Sequence, residues 1–174
     1  MNLNTYLTDL NDNTQSVLKV VSEFSSDELI FKNGADCSIA DILEHICISD
    51  NRTFDLLRSE TDEISPTDEL YGDEKLKKIV VDYKGGPRIT ETEIKELKGI
   101  IVDFSSFEKE FLKNRIQLLN ALKSGEIIIS NKTHKHLYLG DMTVTDWLKY
   151  IIYHTTRHLN DVKESSLGIK KVKS

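Results

Sequence analysis

Two histidines lie four positions apart in the stretch YHTTRHLNDV, which covers residues 153–162. Residues at positions i and i+4 of an α-helix share one face, so the side chains of His154 and His158 are expected to point the same way. Trp147 and Ile151 indicate that this face is the buried one. A single inward histidine is usually a core residue with one hydrogen bond, but two stacked imidazoles need two sets of partners. A shared metal ion would satisfy both.

Two imidazoles do not complete the coordination of zinc, nickel or iron, so a third ligand is expected on a facing helix. His45 is the candidate, since it lies on the flank of the apolar stripe of another predicted helix, near the direction of Ser49. Taken alone, a histidine in that position is more often a boundary residue than a ligand. Together the residues predict a divalent-metal site made of His45, His154 and His158.

The histidine pair differs from the metalloprotease motif H-E-x-x-H, in which a glutamate directly after the first histidine is the general base. Thr155 occupies that position here, so the protease interpretation fails. A three-histidine site open to water or to a substrate remains. Two further histidines, His134 and His136, could add a ligand, with His136 the better candidate, although a pair in a loop is more often a solvated surface feature.

Two charged residues fall on faces that are otherwise apolar: Arg115 lies close to the direction of Phe111, and Asp50 lies among the apolar residues of its own helix. If Arg115 faces the cavity, its guanidinium could bind a carboxylate or phosphate of a substrate. Asp50 could orient a ligand histidine through the second ring nitrogen. Either side chain could instead snorkel to the surface or pair with another side chain. Both are retained as candidate substrate-binding residues.

Four long segments with helical apolar periodicity are expected to position these residues. They cover about residues 3–23, 38–59, 103–125 and 143–165. Four amphipathic helices of this length predict an all-α chain that folds as an up-and-down four-helix bundle. Capping boxes are expected at three of the helix starts, formed by Ser38 with Asp41, Ser105 with Glu108, and Thr143 with Asp146.

The connections between these segments are uneven. Residues 60–100 form a long link with an apolar run, a Gly-Gly-Pro turn at 85–87 and a possible short helix. The link EIIISNKTHKHLYLG, residues 126–140, is rich in β-branched residues and predicts either a short hairpin or an extended loop. Residues 166–174 are expected to be a frayed basic tail, which leaves one domain over residues 1–165.

Composition narrows the functional classes. The chain has 29 acidic and 23 basic residues and a formal net charge of −6, which argues against a nucleic-acid partner. Its N-terminus lacks the basic and apolar regions of a signal peptide, and no stretch approaches the ~20 apolar residues that span a bilayer. We therefore expect a cytoplasmic protein with no membrane partner that acts on a small molecule.

Two segments, SIADILEHICISDN and LGDMTVTDWLKYIIYHTTRHLNDVKE, resemble the signature segments of the DinB-like (YfiT-like) superfamily of metalloenzymes. The resemblance extends over most of the chain. The family pattern G-x-L-T…W-L…H…R-H is matched here by Gly140, Met142, Thr143, Trp147, Leu148, His154, Arg157 and His158. Family members often carry a histidine followed by proline shortly before that glycine. Here His136 matches the histidine, but Leu137 replaces the proline.

The resemblance implies a four-helix bundle whose metal is held by His45 on the second long helix and by His154 and His158 on the last. It also implies a homodimer, and either hydrolysis or S-transfer that depends on a low-molecular-weight thiol such as bacillithiol or mycothiol. No residue chooses between these reactions. Two alternatives stay open: a non-catalytic, metal-stabilised bundle or stress-related binding protein, and a helical protein without metal.

Overall fold

The structure is a computed structural model that describes residues 1–34, 36–85 and 88–174. These residues form helices α1 Leu3–Val21, α2 Ser26–Ile30, α3 Ile39–Arg58, α4 Gly72–Val80, α5 Glu91–Ile94, α6 Phe104–Ser124 and α7 Val144–Lys173, with strands β1 Thr133–His136 and β2 Gly140–Thr143. The described part of the chain is thus mostly helical, in agreement with the predicted all-α class. None of its helices combines the length and the apolar content that crossing a bilayer requires.

The helix starts follow from capping side chains. The boxes predicted at Ser38 and Thr143 are confirmed, since each hydroxyl accepts the backbone N–H of the aspartate three residues later. The box predicted at Ser105 is wrong. Asp103 is the N-cap of α6 instead, and its Oδ1 accepts the N–H of Ser106 at 2.7 Å. Helix α6 ends as predicted at Gly125, whose φ of 79° suits a residue without a Cβ.

Helices α1 and α3 each pack against both α6 and α7. Their apolar side chains form two clusters, one around Val17, Ile42, Phe107 and Val162, the other around Tyr6, Phe54, Leu118 and Leu148. Buried polar residues lie between these positions along all four helices: Thr14, Asp50, Asn114, Arg115, His154, Thr155 and His158. A polar layer therefore separates two apolar halves, and the candidate site residues belong to it.

Helix α7 is longer than the sequence indicated. It continues to Lys173, so most of the residues predicted as a frayed tail are helical. Ile169 accounts for this, because it is buried in the same apolar cluster as Val162, two helical turns earlier.

The link before α7 forms a hairpin, which was one of the two alternatives predicted for it; the extended loop was the other. Strands β1 and β2 pair antiparallel, with Thr133 opposite Thr143.

The long connection between α3 and α6 is held near both ends by buried carboxylates. Asp146 of α7 accepts the backbone N–H groups of residues 70–72 at 2.9–3.4 Å. Glu44 of α3 accepts those of residues 98–100 at 2.6–3.2 Å. Between these anchors α4 packs against α7 and α5 packs against α3. Residues 86 and 87 of the Gly-Gly-Pro turn predicted at 85–87 lie outside the described residues.

Replacing Asp146 by alanine is expected to destabilise the fold by about 2–4 kcal/mol. The substitution removes the N-cap partner of Thr143 and leaves the backbone amides of residues 70–72 without an acceptor. Urea unfolding followed by circular dichroism measures the loss. The exposed Asp141, five residues earlier, is a matched control, and Asp141→Ala is expected to change stability by less than about 0.5 kcal/mol. Equal effects of the two substitutions would contradict the anchoring role.

Candidate metal centre

Three histidines meet where α3 packs against α7. His45 comes from α3, and His154 and His158 come from successive turns of α7. All three are buried, with 5%, 7% and 2% of their surface exposed. The i, i+4 spacing on α7 stacks two rings on one face, and the helix contact brings the third ring to them. The ring centroids lie 4.5–5.1 Å apart.

The facing atoms of these rings are their Nε2 nitrogens. The Nε2 atom of His154 lies 3.2 Å from Nε2 of His45 and 3.1 Å from Nε2 of His158. The predicted convergence of the three histidines is confirmed, and together they could hold a metal ion. Three imidazole nitrogens this close together would suit a first-row divalent metal.

The hydrogen bond made by Nδ1 of His158 determines which ring nitrogen of this histidine carries the proton. Nδ1 of His158 is 2.9 Å from a carboxylate oxygen of Asp161, and a carboxylate only accepts, so Nδ1 carries the proton. The lone pair of Nε2 is therefore directed at the shared centre, as metal ligation requires. The sequence interpretation gave this orienting role to Asp50 and missed Asp161. The sequence feature that indicates this role for Asp161 is its position three residues after His158, on the same helix face.

Electrostatics also favours neutral imidazoles at the centre. Burial, together with the neighbouring charge of His158, lowers the pKa of His45 to about 4. Burial likewise holds the pKa of His154 well below its usual value. The Nδ1 atom of His154 is buried and has no hydrogen-bond partner among the described residues. If the Nε2 lone pairs of all three rings face the shared point, they repel each other, and a cation bound there removes the repulsion.

Two cavities of about 500 and 480 Å³ reach this centre, and His45 and His154 line both. Arg157 also lines the larger one and lies on α7 between His154 and His158. Its side chain forms no hydrogen bond or ion pair with any residue that the structure describes. An unpaired cation beside the centre makes this cavity favourable for anionic ligands.

Glu93 is a site residue that the sequence interpretation missed. It lines both cavities from α5, where its Oε2 accepts the N–H of Thr90 at 2.8 Å and the hydroxyl of Thr90 at 2.9 Å. Burial opposes its ionisation, but the hydrogen bonds from Thr90 hold the pKa of Glu93 below its usual value. The available signal was the capping pair Thr90–Glu93 within the possible short helix of the long connection.

His134 and His136 lie in the hairpin and not on an exposed loop. His134 is buried, and its backbone carbonyl accepts the indole N–H of Trp147 at 3.1 Å. His136 lines both cavities, but its Nδ1 accepts the backbone N–H groups of Tyr138 and Leu139, each at 3.1 Å. The metal-binding group found among the described residues contains neither histidine.

Arg115 and Asp50 bind each other. The Nε of Arg115 donates to Asp50 at 2.9 Å, and its two outer nitrogens donate to Asn13 and to the hydroxyl of Thr155. Both charged side chains are at least 94% buried, and neither lines the two cavities at the histidine centre. Burial raises the pKa of Asp50 although the charge of Arg115 opposes this. Their proposed role in substrate binding stays a prediction that these contacts do not support.

Compared with known proteins, the chain matches no protein-family model, no curated protein and no solved structure. What it does must therefore be inferred from its own residues and from the geometry of the histidine centre.

Proposed function

We propose that the chain is a DinB-like metalloenzyme in which His45, His154 and His158 hold a divalent zinc, nickel or iron ion. The observation that carries this proposal is the convergence of three buried Nε2 atoms at the meeting point of two cavities. The proposed fold is an up-and-down four-helix bundle over residues 1–165. It is supported by α1 and α3, each of which packs against α6 and α7.

A divalent metal bound by three neutral imidazoles keeps its full positive charge and lowers the pKa of a water molecule or thiol at its open position. The proposed reaction is therefore hydrolysis of a small molecule or S-transfer from a low-molecular-weight thiol. In either reaction Arg157 attracts the anionic form of the ligand, and Asp161 holds the proton of His158 at Nδ1. Glu93 is the candidate proton acceptor, because its carboxylate lines both cavities.

The burial of the centre gives some support to a second candidate function, a non-catalytic protein stabilised by its metal. At most 7% of any ligand histidine is exposed, which is typical of a structural site. The two cavities favour the enzyme, because a closed structural site would not need them. Access of an exogenous ligand to the metal discriminates between the two functions.

Cobalt substitution provides the test. Protein purified without chelator is expected to contain about one divalent metal per chain, and its cobalt form should have a visible spectrum. Adding a small thiol should change that spectrum, with a midpoint pH below the pKa of the free thiol, because the cation stabilises the thiolate. If added thiols leave the spectrum unchanged and no titration of bound water is seen, the enzyme hypothesis is rejected in favour of the structural metal site.

A homodimer is also expected, since the family resemblance implies it. Sedimentation at micromolar concentration should then give twice the chain mass of 19.9 kDa. A single species of 19.9 kDa would refute this expectation and leave the metal site untouched.

A further inference from the structure

His136 has a fixed tautomer. Its Nδ1 lies 3.1 Å from the backbone nitrogens of both Tyr138 and Leu139. Backbone N–H groups only donate, so Nδ1 must be the unprotonated acceptor. In the neutral ring the proton then lies on Nε2, and burial favours this neutral form by lowering the pKa of His136. The Nε2–H group donates to no residue in the described part of the chain.

Tyr150 carries a second donor without a partner. Its ring stacks on the ligand His154 with centroids 5.2 Å apart, which places the phenol beside the centre. The hydroxyl makes no hydrogen bond with any described residue, and a tyrosine hydroxyl is a donor at neutral pH. By contrast Tyr153, three residues later, donates its hydroxyl to Asp73 at 2.9 Å.

The two donors belong to one rigid aromatic group. The rings of His136 and Tyr150 are 5.0 Å apart, and Trp147 packs against both at 5.1 and 5.5 Å. His136 and Tyr150 line both cavities that meet at the three histidines. Because neither donor has a partner among the described residues, its acceptor must be water or a ligand that occupies the cavity. The ligand of the cavity can supply that acceptor.

We propose that Nε2–H of His136 and the hydroxyl of Tyr150 together bind an acceptor oxygen of the substrate next to the metal. The substrate is thus a small molecule with a carbonyl-type oxygen, that of an amide, ester or carboxylate, close to the atom that meets the metal. Preorganised donors aimed at such an oxygen bind it most strongly when it gains negative charge. This assignment rests on the proposed metal centre and specifies what the centre accepts.

Two matched thiols test the assignment on the cobalt-substituted protein. 2-Mercaptoacetamide has a carbonyl oxygen, whereas 2-methyl-1-propanethiol has the same heavy-atom count and branching without that oxygen. The wild-type protein should bind the amide more tightly, and Tyr150→Phe and His136→Asn should each reduce the ratio of the two affinities about 3- to 10-fold. Asparagine keeps an acceptor for the amides of Tyr138 and Leu139 but lacks the Nε2 donor.

Two controls accompany these variants. His136→Gln extends an amide nitrogen toward the position of Nε2 and should restore most of the ratio. Tyr153→Phe removes a hydroxyl that already has a partner outside both cavities, and it should leave the ratio unchanged. The cobalt content of every variant shows whether the metal centre itself is intact.

The possible outcomes separate the two proposals. If cobalt does not bind, the proposed metal centre is rejected, and the proposed role of the donor pair is rejected as well. If cobalt binds and the thiols reach it, but the affinity ratio is unchanged in Tyr150→Phe and His136→Asn, only the donor pair is overturned. If neither thiol reaches the metal, the donor pair is also overturned, and the titration of bound water decides whether the enzyme proposal is rejected with it. Imidazole ¹⁵N NMR of the wild-type protein adds an independent check. It should show the Nε2–H tautomer for His136, and an Nδ1–H tautomer would refute the proposal.

Discussion

Replacing His158 by alanine is expected to lower metal affinity by more than about 100-fold. Loss of an outer hydrogen-bond partner of a ligand already costs about 10- to 100-fold, and loss of the ligand itself should cost more. Asp161→Asn should fall within that smaller range, because it weakens the interaction that holds the His158 ring without removing a ligand. Metal content after dialysis and competition with a chromogenic chelator measure both effects.

His134 provides the matched control for this experiment. It is also buried, but it lies in β1 and takes no part in the three-histidine group. His134→Ala should therefore leave metal stoichiometry and affinity unchanged, even if it lowers the free energy of unfolding. Full metal occupancy in the His158→Ala variant, with circular dichroism confirming a native helix content, would show that the ion binds elsewhere.

Arg115→Met is expected to destabilise the protein by about 3–5 kcal/mol at neutral pH, because it leaves the buried carboxylate of Asp50 without its partner. The pKa of Asp50, which burial already raises, should rise further once the opposing charge is gone. A carboxyl whose pKa is higher in the folded state favours folding most when it is protonated. The loss of unfolding free energy in the Arg115→Met variant should therefore become smaller as the pH falls from 7 toward about 4.

Two companion variants sharpen this experiment. Lys113 lies on the same helix and pairs with Glu110 at the surface, so Lys113→Ala should cost at most about 0.5 kcal/mol. The double variant Asp50→Leu/Arg115→Met removes both charges and should be more stable than Arg115→Met alone. Denaturant unfolding at several pH values measures all three. A pH-independent deficit in Arg115→Met would mean that lost packing, and not the unpaired carboxylate, causes the instability.

The ligand histidines could be predicted because their signals are local. His154 and His158 follow helical spacing on an apolar face, and His45 lies on a helix that the Ser38 cap already marks. Glu93 could not be predicted as a site residue, because its approach to the centre depends on how the long connection folds back. That segment has no extended periodicity, and backbone hydrogen bonds to distant carboxylates direct its path.

The polar layer illustrates the same limit. The sequence showed Arg115 and Asp50 on apolar faces, and it left open whether they pair with another side chain or bind a substrate. Their mutual contact joins residues 65 positions apart and depends on the relative rotation of α3 and α6, which a helical pattern does not specify. Helix ends were similarly uncertain. The length of α7 depends on tertiary packing of Ile169 and not on a stop signal.

The anchoring of the long connection has an evolutionary consequence. The three histidines belong to α3 and α7, whereas part of the cavity wall belongs to described residues within 79–85 and 88–93. Asp146 and Glu44 hold this segment through backbone amides, which nearly any residue can provide, apart from Gly72 and Gly99 with φ of 72° and 70°. Under the proposed function, wall residues can therefore be exchanged and new substrates admitted while the three histidines stay in place, and a laboratory library confined to this segment tests this.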